Sequence, residues 1–100
     1  MKELPDYLKK AYELFKDEYS KHMAYFRQQI EHPEQIDSQR EEIYRRFHTI
    51  KGGAGFLELE KVVALATEGE EIFRPQNYDS SKISRFKEII ELLKKEEKQL

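Results

Sequence analysis

A histidine, a lysine and a group of glycines stand close together mid-chain, in the run Phe47-His48-Thr49-Ile50-Lys51-Gly52-Gly53-Ala54-Gly55. Imidazole is a ready nucleophile near neutral pH, because one ring nitrogen is unprotonated and can attack an electrophile such as phosphorus. A lysine one helical turn further on can neutralise an anion without itself reacting. Glycine inside a helix costs about 1 kcal/mol relative to alanine, so Gly52 and Gly53 need a separate reason to be there. The usual reason is the close approach of another backbone or body to the helix surface. A nucleophile, a cation and a bare patch together suit the reversible carriage of a phosphoryl group.

Helical geometry brings these residues onto one side. His48, Lys51, Gly52 and Gly55 are related by steps of three and four, and Tyr44 and Arg45 extend the same face. The apolar stripe Ile43, Phe47, Ile50 and Ala54 is displaced from that face by about 100° around the axis. His48 is therefore expected beside the edge of the core, facing out, above a surface cleared for docking. Arg40, Arg45, Arg46 and Lys51 outnumber Glu41 and Glu42 there, which favours an acidic partner.

The elements that must hold this face follow from periodicity. Leu4, Leu8, Ala11, Phe15, Tyr19, His22, Phe26 and Ile30 recur at helical spacing, with Pro5 and Asp6 suited to a first turn. That segment predicts a helix to about Glu31, bent, split or continuous, which stops near Pro33. Asp37 or Ser38 is the expected cap of a second helix, and Gly55 its expected stop. Phe56-Leu57-Glu58 forms a turn into a third helix, with Leu59, Val62, Val63, Ala66, Glu70 and Phe73 on one side. Arg74 to Asp79 breaks the pattern. Ser80 or Ser81 caps a fourth helix striped by Ile83, Phe86, Ile90 and Leu93, whose end from Lys94 to Gln99 is expected to fray. No segment alternates like a strand. The pattern predicts an all-α, antiparallel, up-down-up-down four-helix bundle, and residues 1–100 are read as a single domain.

Composition narrows the function classes. The chain has 100 residues, 38% of them charged, a net charge of −2 and no cysteine. That length leaves no room for a separate ATP-binding domain, so a phosphoryl donor has to come from a partner. A basic footprint for nucleic acid is missing, no disulfide or thiolate metal site can form, and no apolar run suffices to span a membrane. The expectation is a cytoplasmic monomer without nucleic-acid or membrane partners.

The segment from His48 to Gly55 resembles the signature of histidine-containing phosphotransfer (HPt) domains, and is similar to the phosphorylatable N-terminal domain of chemotaxis-type histidine kinases. The four-helix layout extends the likeness over most of the chain. The resemblance implies that His48 is the phosphoacceptor, on Nε2, and that Lys51 stabilises the phosphoryl oxygens. By the same analogy Gly52 leaves space for the partner's active-site surface, and Glu70, 22 residues after the histidine, orients it through the other ring nitrogen. The helical register independently places Glu70 on the inward side of the third helix. Glu58 stands where many members have glycine, and Thr67 where chemotaxis-type domains have a second histidine.

The implied role is that of a phosphocarrier, not an enzyme. It passes a phosphoryl group to or from the aspartate of a response-regulator receiver domain, or takes one from a histidine kinase catalytic domain. Mg²⁺ is expected from the partner, and no metal or cofactor is expected on this chain. Docking is assigned to Tyr44, Arg45, Gly52 and Gly55. The alternative is a non-catalytic four-helix adaptor that binds a receiver or another protein without being phosphorylated; a dimerising bundle is a third reading.

Competing motifs are weaker. His22 falls on the buried stripe and is read as structural; His32, before a proline at a helix end, is given no role. The three histidines lack zinc-site spacing, and the glycines lack the GxxxxGK[ST] pattern of a nucleotide loop. Glu70 has a plain alternative as a surface carboxylate beside Glu68 and Glu71, and Gly52 as a helix-packing glycine.

Overall fold

The computed structural model describes residues 5–100. Four helices fold into an all-α bundle: α1 (Asp6–Glu31), α2 (Ile36–Phe56), α3 (Glu60–Phe73) and α4 (Ile83–Glu97). Single 3₁₀ turns, Pro33–Gln35 and Ser80–Lys82, lead into α2 and α4. Each helix packs on its neighbours in chain order, α4 closes the ring against α1, and the α2/α3 seam is the most extensive. No strand forms among the described residues.

The core is a layer of rings, one from each helix. Phe26 stacks on Phe47 with centroids 4.5 Å apart, and Phe86 meets Phe47 and Phe73 edge-on at 6.1 and 4.9 Å. Edge-to-face and offset pairs add about 0.5–1.5 kcal/mol each beyond the area they bury. Above and below this layer lie Ile43, Ile50, Ala66, Ile89 and Leu93, all essentially inaccessible. Tyr19 carries the core toward the other end of the bundle, where its hydroxyl donates to the Leu93 carbonyl at 2.5 Å.

α1 is one continuous helix of 26 residues, neither broken nor split. At 1.5 Å per residue it spans about 39 Å, close to the 43 Å long axis of the molecule. Its predicted stripe is buried only in its second half, at Tyr19, His22 and Phe26, with Ile30 half-buried; Met23 and Gln29, outside the stripe, are buried beside them. Leu8, Ala11 and Phe15 are half-exposed because α2 and α3 are too short to cover that end. Leu4 lies outside the described residues.

The expected caps are displaced. α2 begins at Ile36, ahead of Asp37 and Ser38, because the turn at Pro33 delivers the Ile36 side chain into the core at 1% exposure. Asp79, not Ser80 or Ser81, caps the next turn, with its carboxylate accepting from the Ser81 amide at 2.9 Å. α4 stays helical to Glu97, past the point where fraying is expected, and Tyr12 donates to the Leu100 carbonyl at 2.7 Å just beyond it.

Gly55 does not end α2. The helix runs on to Phe56, and the left-handed residue that stops it is Glu58, with φ of 59°. The Leu59 amide then reaches back to the Ala54 carbonyl at 2.9 Å, and the Glu58 amide to Gly55 at 3.2 Å. This paired closure is the Schellman motif, which normally favours glycine at the left-handed position. Here a non-glycine residue holds it, which is why the sequence pattern points to the wrong stop.

Candidate functional site

Close approach of α2 and α3 builds the site. A Cβ on Gly69 would lie 2.5–2.7 Å from three carbons of the Phe47 ring, a separation that only glycine allows. Phe47 precedes His48 on α2 and Gly69 precedes Glu70 on α3, so this one contact sets how closely the two polar side chains meet. His48 Nδ1 and Glu70 Oε1 are 3.0 Å apart. Glu70 is 4% exposed, whereas the His48 side chain keeps 64% of its surface in solvent. The third member is Lys51, whose Nζ lies 2.6 Å from Glu70 Oε2.

Electrostatics follows from this clustering. Burial pushes the Glu70 carboxyl up, but Lys51 and His48 bind its charged form and together hold it below its ordinary value. An ionised carboxylate only accepts hydrogen bonds, so the imidazole presents Nδ1–H to Glu70. In the neutral ring this leaves the lone pair on Nε2, the nitrogen directed away from Glu70. The neighbouring carboxylates are turned elsewhere: Glu68 pairs with Arg85 of α4 at 2.6 Å and Glu71 pairs with Arg74. Glu70 is therefore not an ordinary surface carboxylate.

Other residues singled out in the sequence divide into two groups. Tyr44 joins the cluster, half-buried, with its ring near-parallel to that of His48 at 6.4 Å. Arg45 is exposed and reaches back to Glu42 at 3.2 Å instead of toward the imidazole. Gly52 and Gly55 are exposed, and a Cβ at either would meet nothing within 4 Å. Packing thus gives no reason for Gly52, and the packing-glycine reading falls. Gly53 does have such a reason, because its Cβ would lie 2.7 Å from the Phe15 ring. Lys51 differs from expectation in being ion-paired to Glu70 and not poised alone on the face.

Gly69 was not singled out from sequence, although a glycine in the third helix next to the inward Glu70 carries the same stability cost as Gly52 and Gly53. Thr67 donates to the Val63 carbonyl at 2.7 Å and leaves the His48 network to Glu70 and Lys51. Among the described residues no three His, Asp or Glu side chains gather as a metal site. None of the described helices is long and apolar enough to cross a membrane.

A four-helix bundle that exposes an imidazole backed by a buried carboxylate and edged by bare glycine has the build of a group carrier. Residues 10–99 match the family model of the Hpt domain, and the chain belongs to that family. Neither a curated protein nor a solved structure matches it. Membership brings with it a phosphocarrier role in histidine phosphotransfer, with receiver domains and kinases as the general class of partner.

Proposed function

We propose that His48 carries the phosphoryl group on Nε2 and exchanges it with a receiver-domain aspartate. The observation that supports this reading best is the 3.0 Å contact between His48 Nδ1 and the buried Glu70, on a ring that is otherwise open to solvent. In the forward step the Nε2 lone pair forms the P–N bond while the P–O bond to the aspartate breaks. The aspartate departs as a carboxylate, so no proton has to be delivered to it. Nδ1 keeps its hydrogen against Glu70, and the positive charge that develops on the ring falls next to that carboxylate. The reverse step returns the group along the same path.

Lys51 contributes charge to the phosphoryl oxygens by exchanging its contact with Glu70 Oε2 for one with the new anion. Gly52, open above the helix, gives the partner's active-site surface its clearance, and Tyr44 and Gly55 border that contact. Mg²⁺ is placed on the partner, where the phosphoryl donor or acceptor aspartate also lies. A histidine kinase catalytic domain is the other donor we assign, and the cytoplasm the compartment.

The test is His48→Gln in the full chain, incubated with phosphorylated receivers and isolated kinase cores. Acid-labile, base-stable phosphate is expected on the wild type and not on the variant, while the helical circular dichroism is unchanged. Phosphate on the variant at wild-type level overturns the assignment. Receiver binding indifferent to both His48 and phosphodonor would instead identify an adaptor.

A further inference from the structure

The outward stripe of α2 does not end at His48. Tyr44, Glu41 and Asp37 continue it by steps of three and four toward the start of the helix. Glu41, seven residues before His48, lies on nearly the same side, about 10 Å away along the axis. There α2 and the chain leaving α3 enclose a hollow of about 480 Å³. Tyr44, Phe73 and Pro75 give it apolar walls, and Asp37, Arg40 and Glu41 supply its charges. Ser38 and Gln76, the rest of the lining, are neutral, so two carboxylates against one guanidinium leave the hollow net acidic.

The expectation that this face suits an acidic partner changes once the ion pairs are drawn. Arg45 and Arg46 share the two oxygens of Glu42 at 3.2 and 3.0 Å, Lys51 is bound to Glu70, and Arg40 reaches Asp37 at 3.7 Å. Each lysine and arginine of α2 is thus held by a carboxylate of this chain. Glu41 is the carboxylate of α2 left over, exposed and without an ion pair among the described residues.

Position gives that carboxylate its weight. A receiver centred on His48 with an interface of ordinary size covers roughly 600–800 Å² of this chain, a patch reaching about 14–16 Å from its centre. Glu41 and the near wall of the hollow fall inside that patch. An apolar plug would strand the Glu41 carboxylate away from water, and an acidic one would be repelled by Asp37 and Glu41. An arginine meets every demand of the lining. Its stem covers apolar wall, and its guanidinium stacks on a tyrosine ring and grips a carboxylate through two N–H donors. We propose that this hollow receives an arginine of the docked receiver domain, about 10 Å from the acceptor aspartate, and that Glu41 selects among receivers by binding it. The proposal rests on His48 being the group that exchanges phosphate with receivers.

The test compares the full chain with its Glu41→Lys variant, using the receivers that exchange phosphate with the wild type. Phosphoramidate, a donor too small to dock, serves as the second substrate. Charge reversal should raise the KM of transfer from a phosphorylated receiver roughly three- to tenfold at low salt, with kcat within about twofold of wild type. The gap should shrink in about 0.5 M NaCl, because the paired charges lie near solvent. Glu41→Gln should give a smaller rise in the same direction. Labelling of His48 by phosphoramidate and the helical circular dichroism should not change. Replacing the receiver's surface arginines by glutamate one at a time should reveal one whose loss raises KM for the wild type and lowers it for Glu41→Lys. An unchanged or lower KM in Glu41→Lys, or a rise that no receiver arginine reverses, overturns the proposal and leaves His48 as the carrier. Loss of phosphoramidate labelling in Glu41→Lys would place the effect at the imidazole and overturn it as well. Absence of receiver exchange in the wild type, with or without phosphoramidate labelling, overturns both this proposal and the receiver reading on which it rests.

Discussion

His48 and His22 both sit in long helices of the same bundle, yet their surroundings make them opposite kinds of imidazole. His48 offers Nδ1 to a buried carboxylate and keeps its ring in solvent; His22 offers Nδ1 to a guanidinium and buries Nε2. An acceptor behind the ring fixes a hydrogen there and frees a lone pair in front. A donor behind the ring does the reverse and removes the nucleophile. The difference lies less in helix position than in which neighbour the packing delivers: Glu70 across the α2/α3 seam, Arg46 across the α1/α2 seam.

The comparison breaks most sharply at Glu70. In Glu70→Gln the amide oxygen can still accept from Nδ1–H, but the charge that stabilises the phosphorylated ring is gone. Removing an orienting group behind a functional imidazole commonly costs 10- to 100-fold, and a loss of roughly tenfold or more in the phosphotransfer rate is expected. Quench-flow with a phosphorylated receiver measures it. A wild-type rate in this variant would show that His48 works without its carboxylate. The same substitution at Glu68, which faces Arg85, should leave the rate unchanged.

Gly69 tests whether packing sets the geometry. Gly69→Ala forces a methyl group into the Phe47 ring, and overpacking costs about 1–3 kcal/mol. Alanine's better helix propensity returns about 1 kcal/mol, so a net loss on the order of 1 kcal/mol is expected in urea unfolding. The phosphotransfer rate should fall with it, as α2 and α3 separate. Gly52→Ala, in open space, should instead gain helix stability and lose only partner affinity.

The outward face of α2 was legible from sequence because it depends on a single helix. The steps joining His48, Lys51, Gly52 and Gly55 are intrahelical, and any α-helix there puts them together. The inward placement of Glu70 also followed, from the stripe of α3. What stayed hidden belongs to pairs of helices. The ion pair that holds Lys51, the ring that makes Gly69 obligatory and the guanidinium facing His22 are contacts between residues whose spacing carries no period. Helix ends were hidden for a different reason: Glu58 accepts a left-handed conformation that composition assigns to glycine, and Ile36 is drawn into α2 by burial.

Acid titration separates the two sites by sign and window. Both groups have lowered pKa values in the folded chain, so both bind protons more tightly when unfolded. Each contributes stability above its unfolded pKa that is lost as pH falls through the folded value. For His22 the loss begins as pH drops below its ordinary 6.5, and for Glu70 below its ordinary 4.5. Urea midpoints across pH 7 to 3 should therefore fall in two stages. His22→Phe should flatten the first and Glu70→Gln should shrink the second, to which the lowered carboxyls of Glu68 and Asp79 also contribute; a first stage that survives His22→Phe would assign it to another group.

The smallest expected effect comes from the turn that feeds α3. Glu58 has φ of 59°, and its side chain is exposed, so the strain has no visible compensation. The left-handed conformation costs a non-glycine residue about 1–2 kcal/mol, while glycine adds about 0.5–1 kcal/mol of unfolded-state entropy to be lost on folding. Glu58→Gly should raise stability by roughly 0.5–1 kcal/mol, read as a higher urea midpoint at unchanged slope. It should alter neither histidine, because the Ala54–Leu59 and Gly55–Glu58 backbone bonds already fix the turn. A changed phosphotransfer rate would mean that the turn, and not Gly69 against Phe47, controls where Glu70 stands.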